Sequence, residues 1–150
     1  MADPEPVVRL RQLEKYRYEV AFEGPHVGSY VVDEAPPTGG GAGPNPAQSL
    51  AVAVGHCMSS TLYACFERSH VAVQPLATTV RPIFGRNANG RLRVVRLEVA
   101  MDVHPVDPAD QPKVDHCLEI FADYCPVSGA VRDGAAIVLT TGAPSEPAGM

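Results

Sequence analysis

No dense block of lysine or arginine interrupts the chain, and 12 basic against 17 acidic residues leave a formal charge of −5. That balance gives no electrostatic footprint for DNA or RNA, so a nucleic-acid partner is not expected. The start, MADPEPVVRL, carries acid and proline where a secretory leader would need a positive stretch followed by an apolar one. No apolar run reads as a membrane span, so a soluble cytoplasmic chain with no membrane partner is the expectation. Internal repeats are missing. No two Cys or His residues show the two-to-four residue spacing of a zinc knuckle, and adjacent pairs such as His56-Cys57 and His116-Cys117 point about 100° apart on a helix. A resident metal is therefore not expected.

What is present fits one domain. With 150 residues, 45% hydrophobic and 19% charged, the chain can bury a real core. Residues 1–150 read as one unit with an ordered part over about 7–141 and a flexible tail, GAPSEPAGM, over 142–150. VVRLRQL, YRYEVAFE and VGSYVVDE alternate β-branched or aromatic residues with polar ones and predict a three-stranded antiparallel meander, the last strand following a Gly24-Pro25 turn. APPTGGGAGPNP is a loop. Asn45 can cap a helix and Pro46 suits its first position, so a helix is predicted from there toward Ser69. Its residues are small and apolar nearly all round, which predicts burial on most sides, and Gly55 within it predicts the close crossing of a second helix. VAVQPLATTVRPIFG and GRLRVVRLEVAMDV read as two strands joined by the turn RNANG, with arginines on a solvated face of the second. DPADQPKVDHCLEIFADY predicts a second amphipathic helix, ended by Pro126 and followed by a Ser128-Gly129 turn. AAIVLTT reads as a closing strand.

Four cysteines remain to be explained. In a reducing compartment a cysteine is by default a small core hydrophobe, and a permanent disulfide framework is not expected. Cys65 and Cys117 keep that default, Cys117 lying on the apolar stripe of the second helix. Cys57 stands out by its polar neighbours His56, Ser59, Ser60 and Thr61. Cys125 stands out by its place before Pro126, at a junction of helix and loop. Composition leaves both open between core filling and redox chemistry.

Two stretches narrow the choice. NPAQSLAVAVGHCMSSTL resembles the first signature of the OsmC/Ohr superfamily, in which an Asn/Ser-Pro-Glu start leads along a small-residue helix to a reactive cysteine, and YCPVSGAV resembles its second, a Cys-Pro before a small turn. The resemblance runs over about residues 7 to 141 and includes the meander, the loop and the order of the later elements. It implies an α+β fold with antiparallel sheets around two central helices, assembled as an intertwined homodimer with the reactive site at the interface. It implies thiol peroxidase chemistry, with Cys57 attacking a small hydroperoxide and Cys125 resolving the sulfenic acid to a disulfide. No cofactor is called for beyond an external thiol reductant, a role that lipoylated proteins fill for some relatives.

In the peroxidase branch an arginine held by the motif's glutamate activates the first cysteine. Arg17, between two tyrosines, is the candidate here, with Arg9 and Arg11 as alternatives. The glutamate is replaced by Ala47, which keeps open a second reading: a stress-response or ligand-binding protein with the fold and the cysteines but weak or no peroxidase activity.

Overall fold

The computed structural model describes residues 7–24 and 28–142. Three antiparallel strands, β1 (Val8–Glu14), β2 (Arg17–Phe22) and β3 (Ser29–Val32), form the expected meander in the order β1-β2-β3. The Gly24-Pro25 turn lies partly outside the described residues, and of the tail expected over 142–150 only Gly142 is described. The loop after β3 folds back on it: the Asp33 N–H donates to the Pro44 carbonyl, and the buried Asp33 carboxylate accepts from the Gly40 and Ala42 N–H groups. β4 (Ala77–Arg86) and β5 (Leu92–Asp102) pair antiparallel in a separate long hairpin, with a bulge at Ile83/Phe84. Its turn is tied by the Asn87 carboxamide, which accepts from the Asn89 and Arg91 N–H groups. Arg93 and Arg96 on β5 face solvent, as expected.

Helix α1 (Pro46–Arg68) starts where the sequence sets its cap. The Asn45 side chain accepts from the Gln48 N–H and the Gln48 side chain accepts from the Asn45 N–H, so two orphan donors are satisfied reciprocally. Its 23 residues include a window of mean hydropathy 1.3, long and apolar enough by composition to cross a membrane, contrary to the reading of the sequence. In the fold it is the central core helix. Nor is it covered on most sides: in one chain it buries Ala51, Val54, Gly55, Leu62, Cys65 and Phe66 and leaves Val52 and Tyr63 exposed. Gly55 admits strand β4, not the second helix its position predicted. A Cβ there would lie 2.8 Å from Val80 Cγ2.

The predicted second helix is three pieces. A single 3-10 turn (Pro108–Asp110) leads into α2 (Gln111–Ile120), which tightens into a second 3-10 turn (Phe121–Tyr124). Pro126 then begins α3 (Pro126–Asp133), in place of the expected Ser128-Gly129 turn, because its fixed φ suits a first helical position as well as it stops a preceding helix. The core lies where α2 meets the C-terminal half of α1, with Leu62, Phe66, Val71, Val114 and Phe121 packed together. The expected closing strand is absent. Residues 135–141 are irregular, and Ile137, Val138 and Leu139 are 94%, 87% and 85% exposed. A strand needs a neighbour to accept its ladder, and among the described residues none pairs with it.

The Gly55 contact generates a prediction. Val80 is β-branched and stiff at χ1, so Gly55→Val must push β4 off α1. We expect a loss of about 1–3 kcal/mol of stability, read as a lower urea midpoint with little change in slope.

Candidate functional site

The register of α1 against the 111–133 segment decides which side chains meet. Cys57 lies about three turns into α1, and Cys125 sits between the second 3-10 turn and α3 with the extended backbone of an N-cap residue. Their sulfurs are 3.2 Å apart, and both cysteines are free. Cys125 is buried and Cys57 half-buried. Thr61, one turn beyond Cys57, donates its hydroxyl proton to the Cys57 carbonyl and stands close enough to act on both sulfurs.

The two thiols differ in electrostatics. Burial raises the Cys57 pKa, the Cys125 sulfur adds to the rise, and the Val127 N–H and the Thr61 hydroxyl offset only part of it. Burial also acts to raise Cys125, yet the Ser128 hydroxyl and N–H, the Cys57 thiol and Thr61 outweigh it, and the net shift is downward. The cause is local. Cys125 occupies the N-cap position of α3, where unpaired N–H groups favour a negative charge, and the solvent-shielded Ser128 Oγ has no other partner among the described residues. At this separation the two titrate as a pair, and its first thiolate forms on Cys125.

Arg17 is not brought to Cys57 within one chain. Its Nε lies 3.8 Å from Asp33 Oδ2, shielded from solvent and without a hydrogen-bond partner among the described residues. The alternatives are engaged elsewhere on the surface, Arg9 with Glu23 and Arg11 with Glu19. The Asp33 carboxyl is held below the usual carboxylate range, first by the Ala42 N–H and then by Gly40, Glu34 and the Arg17 charge. His56 is exposed. Ala47 falls in the first turn of α1, where its neighbour Gln48 completes the cap.

Cys65 and Cys117 correct the sequence reading outright: they are joined as a disulfide, with Cα atoms 5.8 Å apart, inside the core. One sign of this lay in the sequence. Cys57 and Cys65 are eight residues apart, and so are Cys117 and Cys125; antiparallel segments carrying equal spacings pair 57 with 125 and 65 with 117. The Thr61, Ser128 and Asp33 contributions had no comparable sign, since each depends on a contact distant in sequence or on a helix, α3, that the sequence did not announce.

Residues 39–140 match the family described as OsmC-like protein. No curated protein sequence matches the chain. Among solved structures, an OsmC-like protein of unknown function from Vibrio cholerae superposes with a TM-score of 0.72 at 12% identity, over 87% of this chain and 94% of that one. An organic hydroperoxide resistance protein from Legionella pneumophila gives 0.63 at 18% identity, over 88% and 92%. The organic hydroperoxide resistance protein OhrB of Bacillus subtilis gives 0.58 at 18%, over 86% and 91%. At these identities the likeness is one of fold.

Two outcomes test the electrostatics. Ser128→Ala removes a donor to the thiolate, so the first step in the ultraviolet thiolate titration of the reduced protein should move to higher pH. Asp33, with a depressed native pKa, contributes stability that is present above the unfolded value of about 4 and lost as pH falls through the native one. Asp33→Asn keeps the loop's acceptor but not the charge, so its stability deficit relative to wild type at neutral pH should shrink on acidification, read by urea unfolding at a series of pH values.

Proposed function

Because the chain belongs to the OsmC-like protein family, we propose that it is a cysteine-based thiol peroxidase that reduces organic or inorganic hydroperoxides through Cys57 and Cys125. The observation that carries this reading is the 3.2 Å approach of two free sulfurs 68 residues apart in sequence. The names of the Legionella and Bacillus relatives support the substrate class.

The Cys57 thiolate attacks one oxygen of the hydroperoxide. An S–O bond forms, the O–O bond breaks, and the alkoxide leaves as an alcohol after taking a proton, or as water from hydrogen peroxide. The Cys125 thiolate then attacks the Cys57 sulfenic sulfur, an S–S bond forms, and the hydroxyl leaves as water. A dithiol reductant, such as a lipoylated protein in the cytoplasm, returns two electrons and two protons to complete the cycle. The sulfurs need close by only about 1 Å to reach bonding distance, so resolution requires no helix to move. The low-pKa position of Cys125 suits the resolving step, because the attacking group there is a thiolate.

Cys57 needs separate activation, since the groups acting on it in one chain include no cation. The sheet that carries Arg17 makes no extensive contact with the helices of its own chain. We assign to it a seat against a second copy, in an intertwined homodimer that also covers the outer face of α1 and the bare 137–139 run, with Arg17 serving the partner's Cys57. Asp33 would then orient the arginine in place of the missing glutamate. One observation favours the second reading, a ligand-binding protein: an apolar cavity of about 470 Å³ lies between the first sheet and the start of α1, walled by Tyr16, Tyr18, Val20, Tyr30 and Val32.

Stoichiometric tert-butyl hydroperoxide should convert the reduced protein to a Cys57–Cys125 linked peptide in mass mapping. With the Cys65–Cys117 bond left closed, Cys125→Ser should stop at the sulfenic acid and proceed to sulfinic acid with excess peroxide, Cys57→Ser should not consume peroxide, and Arg17→Ala should slow wild-type consumption at least tenfold. Equal, slow rates in wild type and both cysteine variants would reject the enzyme and leave the binding protein. Light scattering at micromolar concentration should give the mass of a dimer, and a stable monomer would remove the proposed source of the arginine.

A further inference from the structure

The Cys65–Cys117 bond lies outside the chemistry proposed above, and its placement suits more than a permanent staple. It joins the last turns of α1 and α2, immediately before the 3-10 turn that delivers Cys125. Along α1 it stands eight residues from Cys57, or about 12 Å, too far for direct sulfur exchange with the first pair. The two pairs are successive rungs between the same antiparallel segments. Cys117 is fully buried, whereas Cys65, 7% exposed, forms part of the wall of a cavity of about 320 Å³ together with Thr61, Arg68, Ser69, His116 and Tyr124. The Ser69 hydroxyl lies 3.6 Å from the Cys117 sulfur. Around the bond the core is apolar, with Leu62, Phe66, Val114 and Phe121. Two thiols would be tolerated there as small hydrophobes, so the fold accommodates the reduced state as well as the oxidised one.

We propose that Cys65 and Cys117 are a second, reversible redox site, oxidised by a small hydroperoxide that enters the cavity beside Cys65, and that its disulfide clamps the segment carrying Cys125 against α1. The step balances without the first pair. The Cys65 thiolate, in the cavity wall, takes an oxygen from the hydroperoxide as the O–O bond breaks and an alcohol departs. Cys117 then attacks the sulfenic sulfur, the S–S bond forms, and water leaves. A small dithiol reverses it by taking back the bond. A cavity of this size admits a small molecule but not another protein, which is why the oxidant is a hydroperoxide and not a protein disulfide. Cys65 reacts first because it borders the cavity and Cys117 does not. With the bond closed, the register that sets Cys125 on Cys57 is fixed covalently one rung away. Open, it rests on side-chain packing alone.

The test uses the full chain with both Cys57→Ser and Cys125→Ser, so that its outcome does not depend on peroxidase turnover; wild type with its first pair alkylated serves in its place if that variant does not fold. Dithiothreitol under native conditions should open the second pair, and after its removal equimolar tert-butyl hydroperoxide should restore a Cys65–Cys117 linked peptide. Amide hydrogen exchange over residues 118–133 should be at least tenfold slower in the closed form than in the open one. A bond that dithiothreitol cannot reach in the folded protein would make it a permanent staple and overturn the proposal. So would thiols at 65 and 117 that stay free or go to sulfinic acid under peroxide, or exchange over 118–133 that is the same in both forms.

Discussion

The site depends on one packing arrangement, the antiparallel lie of the 111–133 segment along α1. Leu62 and Phe66 on α1 interlock with Val114 and Phe121 on the other side, and burying side chains of this size stabilises by about 1.5–3 kcal/mol each. That interlock fixes the register in two directions at once. It brings Cys65 to Cys117 within the core, and it leaves Cys125, at the far end of a 3-10 turn, facing Cys57. A slip of one helical position would rotate each cysteine by about 100° and separate both pairs. The covalent link reinforces the same register. Closing a loop of 52 residues removes denatured-state entropy worth about 4 kcal/mol in the chain-entropy picture, comparable with one well-packed aromatic side chain at the same contact.

Within that frame the chain divides the labour of its two free thiols by geometry. Cys57 emerges from the middle of a long helix, where the helix's own N–H groups are already donated along it and the dipole has faded, and the Val127 N–H of α3 offsets only part of the rise that burial causes. Cys125 caps a short helix whose first N–H groups are unspent. The same backbone chemistry that makes Ser or Asp a good cap makes a cysteine there a ready thiolate, and Pro126 helps by holding the first helical residue in place without requiring a partner for a missing donor. Cys57, by contrast, has its thiol pushed up by burial, and in the peroxidase reading its activation has to come from elsewhere.

Much of this was legible in the sequence wherever the signal is local. Alternating strands, the Asn45-Pro46 start and the Asn-rich hairpin turn each act over a few residues, and each appears where the pattern sets it. The losses are non-local. Gly55 announces a close approach, but a glycine does not say whether a helix or a strand crosses it. The Pro126 stop signal is also a start signal, and eight residues containing Ser and Gly are too few for periodicity to outweigh a turn reading. Ala135 to Thr141 has a strand's composition but no partner among the described residues, and composition cannot supply one. For the site, the family signatures directed attention to Cys57 and Cys125. Cys65 and Cys117 read as small core hydrophobes, which their burial bears out, and only the matched spacing points to the bond between them.

The division between the two sheets carries the last step. A three-stranded sheet with one apolar face needs a surface to bury that face, and this one finds little of it in its own chain. Helix α1 has the complementary deficit, a 23-residue core helix with apolar side chains still exposed, and so does the bare run 137–139. Three unmet apolar surfaces in one chain are the observation on which the homodimer proposed above rests. The buried Arg17 Nε near Asp33 follows the same logic. A guanidinium with a shielded, unpaired nitrogen costs stability unless its other nitrogens find acceptors, and the ion-pair partner of Arg17 among the described residues is the buried Asp33 carboxylate. In the homodimer proposed above, the partner's Cys57 thiolate, on which no cation of its own chain acts among the described residues, is the acceptor that would resolve both deficits together.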